Sequence, residues 1–210
     1  MRALAIALAL LGIAMAPARA EDDPHLADPE VQYAIGMAHI RGRGATKDPA
    51  EAVVWLRKAA VQGHAEAQVQ LGICYQQGLG IAKDLAQALE WFSKAAEQGD
   101  RRGELQVGLA YWHGRGVAPN LHKAIGYFRR AAEAGHPKAQ VELANAYRRG
   151  LGVDKDPVQA AFWLGLAHEQ GSPAARVALS AVRDQLTDAQ RGEVDERIAA
   201  WKKAHPAPAS

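Results

Sequence analysis

The chain has 210 residues, 49% apolar and 23% charged, with a single cysteine. One cysteine excludes an intramolecular disulfide, so a packed core must hold the fold. The formal net charge is +2, and the basic residues are interleaved with acidic ones, which argues against nucleic acid and against a purely electrostatic membrane contact, both of which need clustered cations.

The first twenty residues read as a secretory signal peptide. Arg2 supplies a positive start, residues 3–16 are apolar, and Ala18-Arg19-Ala20 is a small-x-small cleavage site. The apolar stretch is too short for a membrane span. No cysteine follows the cleavage site for lipid attachment, and no later stretch is long and apolar enough to span a bilayer. The expectation is a chain exported after cleavage at Ala20, most naturally to the periplasm, with no membrane span in the mature form. Removing Arg2 and Arg19 leaves 23 charges of each sign, a balance of zero. Residues 21–28 are expected to be a mobile acidic lead-in.

Four blocks of 36 residues then follow without a gap: 29–64, 65–100, 101–136 and 137–172. Glycine recurs at block position 14 (Gly42, Gly78, Gly114, Gly150), at 16 (Gly44, Gly80, Gly116, Gly152) and at 35 (Gly63, Gly99, Gly135, Gly171). A fixed period of this size marks a solenoid. Each block reads as two short helices, A and B, joined by the Gly-x-Gly turn. Asp28-Pro29 opens the first helix A with an N-cap and a proline where no N–H is needed; Ser172-Pro173 repeats the device, and His136-Pro137 keeps only the proline. Asp48, Asp84, Asn120 and Asp156 cap the four B helices.

In helix A, positions 3, 7, 10 and 11 share one face, and positions 2, 5, 9 and 12 share another. Position 8 is Gly36, Gly72, Gly108 and Ala144, small enough for close approach of a neighbour. Helix B carries alanine at position 24, an aromatic at 27 (Trp55, Trp91, Tyr127, Trp163), Leu56, Phe92, Phe128 and Leu164 at 28, and alanine at 31. That is an apolar stripe at helical spacing. The fifth block starts at Pro173 but loses the glycine turn. Thr187-Asp188-Ala189-Gln190 is a capping box opening a last helix to about Lys203, with Val194, Ile198 and Trp201 on one face. Residues 173–203 are thus a partial repeat and an end cap, which a solenoid needs to cover its last core face. Residues 204–210 are expected to be disordered.

The pattern resembles the Sel-one-like repeat (SLR), a relative of the tetratricopeptide repeat. Block two carries the signature as Leu71-Gly72, Tyr75, Gly78, Gly80, Asp84, Ala88, Trp91, Lys94-Ala95-Ala96 and Gly99. His39 replaces the tyrosine in block one, Ala144 the glycine and His168 the second alanine in block four. The resemblance covers residues 29 to about 185. It implies an all-α, right-handed α-solenoid of helix-turn-helix repeats, with helix A lining a concave side. It also implies a role as an adaptor in signalling, secretion or envelope assembly. Some cysteine-rich members are associated with penicillin binding and weak β-lactamase activity, through a branch whose repeats carry disulfides that this chain cannot form.

Chemistry is sparse. Gly42-Arg43-Gly44 is not a phosphate loop, because its glycines leave a helix rather than lead into one. The serines are Ser93, Ser172, Ser180 and Ser210, none with a lysine three residues on, so the Ser-x-x-Lys element is absent. Cys74 falls on the core side of helix A and reads as a small hydrophobe. The eight histidines show no ligand spacing. No catalytic residue, metal or cofactor is therefore expected.

The candidate protein-binding positions lie on the second face of helix A, where repeat proteins of this kind hold partners. They are Tyr33, Val69 and Leu105 at position 5, Met37, Ile73 and Leu109 at position 9, and Ile40 and Trp112 at position 12. Arg41, Gln77, His113, Arg148 and Arg149 flank them. Positions 5 and 9 are either groove or core. Position 12 also holds Arg148, so it is wet, and Trp112 is a candidate hot spot. The function expected is an exported adaptor for a protein or peptide partner. The alternatives are an envelope enzyme or binding protein for peptidoglycan or β-lactam-like ligands, and a structural subunit of an envelope complex.

Overall fold

The computed structural model describes residues 24–205. The expected signal peptide and its cleavage site, and the end of the tail after His205, lie outside the described residues. A short 3-10 helix at Pro24–Ala27 leads into ten α-helices, and no strand occurs among the described residues. The helices are α1 (Pro29–Arg41), α2 (Pro49–Val61), α3 (Ala65–Gln77), α4 (Leu85–Glu97), α5 (Arg101–His113), α6 (Leu121–Glu133), α7 (Pro137–Arg149), α8 (Pro157–Glu169), α9 (Pro173–Arg183) and α10 (Asp188–Ala204). The odd-numbered helices α1 to α7 are the A helices and the even-numbered α2 to α8 the B helices. The fold is an all-α solenoid.

Local chemistry sets the helix ends. Asp48 accepts hydrogen bonds from the N–H groups of Ala50 and Glu51, and Asp84 from those of Ala86 and Gln87. Asn120 caps α6 through Lys123, and Asp156 caps α8 through Gln159. Each A helix ends on a glycine in the left-handed region, with φ between 65° and 73° at Gly42, Gly78, Gly114 and Gly150. The second glycine of the turn has a further role. A Cβ on Gly80 would sit 2.0 Å from the carbonyl oxygen of Pro49, and one on Gly116 2.3 Å from that of Leu85. The turn of one repeat therefore rests directly on the first residue of the preceding helix B. Only glycine permits that approach.

The chain divides into two compact units. One runs to Ala110 and takes in Gly114–Ala118; the other comprises Tyr111–His113 and the chain from Pro119 onward. In the first unit, α1 packs on α2, α2 on α3 and α3 on α4. Gly36 lies against Leu56 and Gly72 against Phe92, where an added Cβ would come within 2.8 and 2.5 Å of those side chains. Leu56, Leu71 and Phe92 are 0–1% exposed. In the second unit, α8 is buried from Ala160 to Ala167 without interruption, because α7, α9 and α10 all pack on it. Val182 and Val194 are 0% exposed, so the last two helices close the core as an end cap should. Thr187 and Gln190 form the expected capping box.

Both edges carry ordered contacts. Leu26 in the 3-10 helix accepts a hydrogen bond of 2.7 Å from the Gln32 amide, which ties that segment to α1. At the other end α10 runs to Ala204, and His205 stacks on Trp201 with ring centroids 3.9 Å apart.

Candidate interaction surface

Four of the positions marked in the sequence belong to the interior. Val69 is 2% exposed, Leu105 3%, Leu109 7% and Met37 8%. Of the two readings, groove or core, these side chains take the core one, and they offer no area to a partner. For Val69 the physical reason is that α3 is packed against both α2 and α4; burial is not uniform along the rows, since Tyr33 at position 5 and Ile73 at position 9 keep partial exposure. Tyr33, Ile40, Ile73 and Trp112 are half-buried, while Arg41, Gln77, His113, Arg148 and Arg149 are exposed.

In the first unit, Tyr33 is the centre of a built cluster. Its ring stacks on the His64 imidazole with centroids 4.8 Å apart and planes at 25°. His64 Nε2 lies 3.0 Å from Glu30 Oε2, and its Nδ1 accepts the Ala67 N–H at 3.1 Å, capping α3. Arg102 Nη2 reaches Glu66 Oε1 at 3.0 Å and Asp100 Oδ2 at 2.8 Å. Burial pushes the Tyr33 phenol above its ordinary range, with Arg102, Glu66, Arg41 and Glu30 all near enough to act on it. Burial also pushes the Asp100 carboxyl up. The hydrogen bonds from the Arg102 guanidinium and from the N–H groups of Gly103 and Arg102 outweigh it, so Asp100 titrates below its usual range. Three successive A helices thus supply one continuous polar ladder around a half-exposed aromatic ring.

Sequence reasoning marked Tyr33 and missed the rest. Glu30, Glu66 and Arg102 share block position 2, and His64 and Asp100 share position 36. The signal was there, since position 2 turns from acidic (Glu30, Glu66) to basic (Arg102, Lys138) along the blocks and His64 and Asp100 end the first two of them. Block by block these positions show nothing of what they touch across repeats.

In the second unit, Trp112 leans on Phe128, with centroids 5.8 Å apart and planes at 46°. Tyr111 stacks on Tyr127 at 6.0 Å, and Lys123 Nζ lies 5.2 Å from the Tyr111 centroid. Arg129 Nη2 donates to the Tyr147 hydroxyl at 3.1 Å; Arg57 does the same to Tyr75 at 2.7 Å in the first unit. The repeat tyrosine is therefore held by an arginine of the preceding helix B wherever that position is arginine. A cleft of about 280 Å³ between α8, α9 and α10 is crossed by two ion pairs, Arg183–Asp195 and Lys202–Glu169.

The Cys74 thiol is 1% exposed, and burial pushes it up to about 11. The reactive thiolate is correspondingly scarce at neutral pH. Among the described residues no three His, Cys, Asp or Glu side chains are grouped to hold a metal ion, and no helix is long and apolar enough to cross a membrane.

Comparison with known proteins places the chain. The family model described as Sel1 repeat matches residues 29–64, 65–100, 102–136 and 137–172. Among solved structures, the chain is similar to a Sel1 repeat protein from Oxalobacter formigenes, at 35% identity and a TM-score of 0.72, over 75% of this chain and 64% of that one. It is also similar to a protective antigen of uropathogenic Escherichia coli strains that displays an SLR fold. That match has 30% identity and a TM-score of 0.75, over 87% of this chain and 40% of that one. The chain spans less than two thirds of the length of either protein. No curated protein matches it significantly.

Proposed function

This chain belongs to the Sel1 repeat family, whose repeats are generally protein–protein interaction modules, and from that premise we propose that it is an exported adaptor that binds a partner protein or peptide segment on its helix-A faces. The observation that carries the reading is the Tyr33 cluster. A half-exposed aromatic ring is pinned by stacking on His64, with Glu30, Glu66 and Arg102 fixed around it. An aromatic anchor with ordered charges at its rim is what a docking surface requires, because little side-chain freedom is left to lose on binding. Trp112, which leans on Phe128 and shares its block position with Arg148 one repeat on, gives the second unit a candidate anchor of the same kind. Export rests on the N-terminal pattern of Arg2, the apolar run and Ala18-Arg19-Ala20. The periplasm is the destination that pattern favours. The envelope-enzyme alternative lacks the Ser-x-x-Lys element in its sequence.

The test is crosslinking in cells followed by mass spectrometry of what the chain captures, for the wild type and for Tyr33→Ala and Trp112→Ala. A lost partner with an unchanged helical circular dichroism spectrum supports the surface. Capture unchanged in both variants overturns it. Sequencing the mature N-terminus tests export independently, with Glu21 as the residue expected first.

A further inference from the structure

His64 is the one N-cap of an A helix whose imidazole accepts the cap hydrogen bond. The other helix-A caps that bond through the side chain use Asp28, Asp100 and Ser172, while His136 makes no side-chain cap bond to α7. The geometry at His64 dictates a protonation state. Nδ1 accepts the Ala67 N–H at 3.1 Å, so its lone pair is committed and the ring proton resides on Nε2, which donates to Glu30 Oε2 at 3.0 Å. A neutral imidazole meets both demands; an imidazolium has two N–H donors and no acceptor. The side chain is only 10% exposed, and Nδ1 lies 3.7 Å from Glu66 Oε2.

We propose that His64 is a pH-sensitive cap: protonation releases the first turn of α3 and rewires the ladder that joins α1, α3 and α5. The charged and titratable groups against the ring are Glu30 and Tyr33 from α1 and Glu66 from α3, and Glu66 is bound in turn by Arg102 of α5, whose other partner is Asp100. When Nδ1 gains a proton, the Ala67 N–H loses its acceptor and the new N–H must find one. Glu66 is the carboxylate within reach. It is already bound to Arg102 at 3.0 Å, so it becomes shared between two cations. Glu30 keeps its bond to Nε2, and the cation lies over the Tyr33 ring, which favours positive charge. Protonation is therefore accommodated by two carboxylates and an aromatic face, while the helix terminus gives up its cap. Imidazole is the side chain whose charge changes between pH 5 and 8, above the range in which glutamate protonates.

The experiment follows the whole chain by NMR from pH 8 to pH 5. The His64 ring carbons report its protonation, and amide exchange gives the protection factor at Ala67. In the wild type the Ala67 protection should fall about five-fold in step with the imidazole titration, the equivalent of ~1 kcal/mol for a lost cap. In His64→Asn, which supplies a cap that does not titrate, protection should stay flat. The proposal is overturned if Ala67 protection holds while His64 titrates, if His64→Asn shows the same fall, or if His64 does not titrate in this range. None of these readouts depends on a binding partner.

Discussion

Two glycines with the same backbone conformation carry different burdens, and the difference is measurable. Gly80 has φ of 70° and Gly99 has φ of 77°, so an alanine at either must enter the left-handed region, which costs roughly 1–2 kcal/mol. At Gly99 nothing lies within 4 Å of where the Cβ would go, and the conformational cost stands alone. At Gly80 that Cβ would meet the Pro49 carbonyl oxygen at 2.0 Å and its carbon at 2.2 Å. Backbone cannot yield as a flexible side chain does, so about 1–3 kcal/mol of overpacking strain adds to the first term. Urea unfolding should therefore find Gly99→Ala destabilised by about 1–2 kcal/mol and Gly80→Ala by about 2–5 kcal/mol, the larger loss of the two. Equal losses would mean that the contact between turn and helix contributes nothing. In the sequence the two positions look alike, since both recur in every block. What separates them is a neighbour 31 residues earlier, which no local pattern displays.

Helices were the most legible level, because an element's start and stop depend on residues within one turn of each other. Asp48, Asp84, Asn120, Asp156 and Thr187 could be read as caps from their own neighbourhoods, and all five are. The bonds between elements were not legible. Gln62 donates to Gln32 at 2.8 Å, Gln98 to Gln68 at 2.7 Å and Gln170 to Gln140 at 3.0 Å, a repeated amide link between the end of helix B and the start of helix A. Gln32, Gln68 and Gln140 are 0–6% exposed. Polar residues at helical spacing read as solvent-facing, and here partners 30 residues away remove them from solvent. The candidate surface was half legible for the same reason: Tyr33 was marked with the other position 5 residues, while Glu66, Asp100 and Arg102 reach its cluster from later blocks. Asp100 belongs to both levels, capping α5 and holding Arg102. Its carboxyl titrates lower folded than unfolded. The stability it contributes is therefore fully present above its ordinary value near 3.9 and is lost as pH falls through the lower folded value. Asp100→Ala should cost about 1–2 kcal/mol at pH 7. The gap between variant and wild type should close as unfolding is measured toward pH 2; a gap that persists there would locate the loss in packing instead.

A repeat chain is stabilised by contacts between neighbours, so damage at one place should be felt most by the repeats next to it. The C-terminal end offers a clean test of that within the second unit. Val194 is 0% exposed, α10 packs on α8, and Ile198 lies so near Gly165 that an added Cβ there would come within 2.3 Å of it. Nothing follows α10 among the described residues to take its place, and the α8 side chains from Phe162 to Leu166, at 0–6% exposure, depend on it for cover. Val194→Asp puts a carboxylate at a position with no exposure, and Arg183 is already engaged with Asp195 at 2.8 Å. Burying an unpaired charge costs on the order of 3–5 kcal/mol, and releasing α10 into water is the cheaper response. Hydrogen exchange should then show protection lost in α8, α9 and α10, while α3 and α4 of the first unit keep theirs. The Arg183–Asp195 pair cannot hold α10 in place by itself, because an exposed ion pair contributes at most about 1 kcal/mol. If protection falls equally in α3 and α4, the chain unfolds as one cooperative body and the nearest-neighbour account is wrong for it.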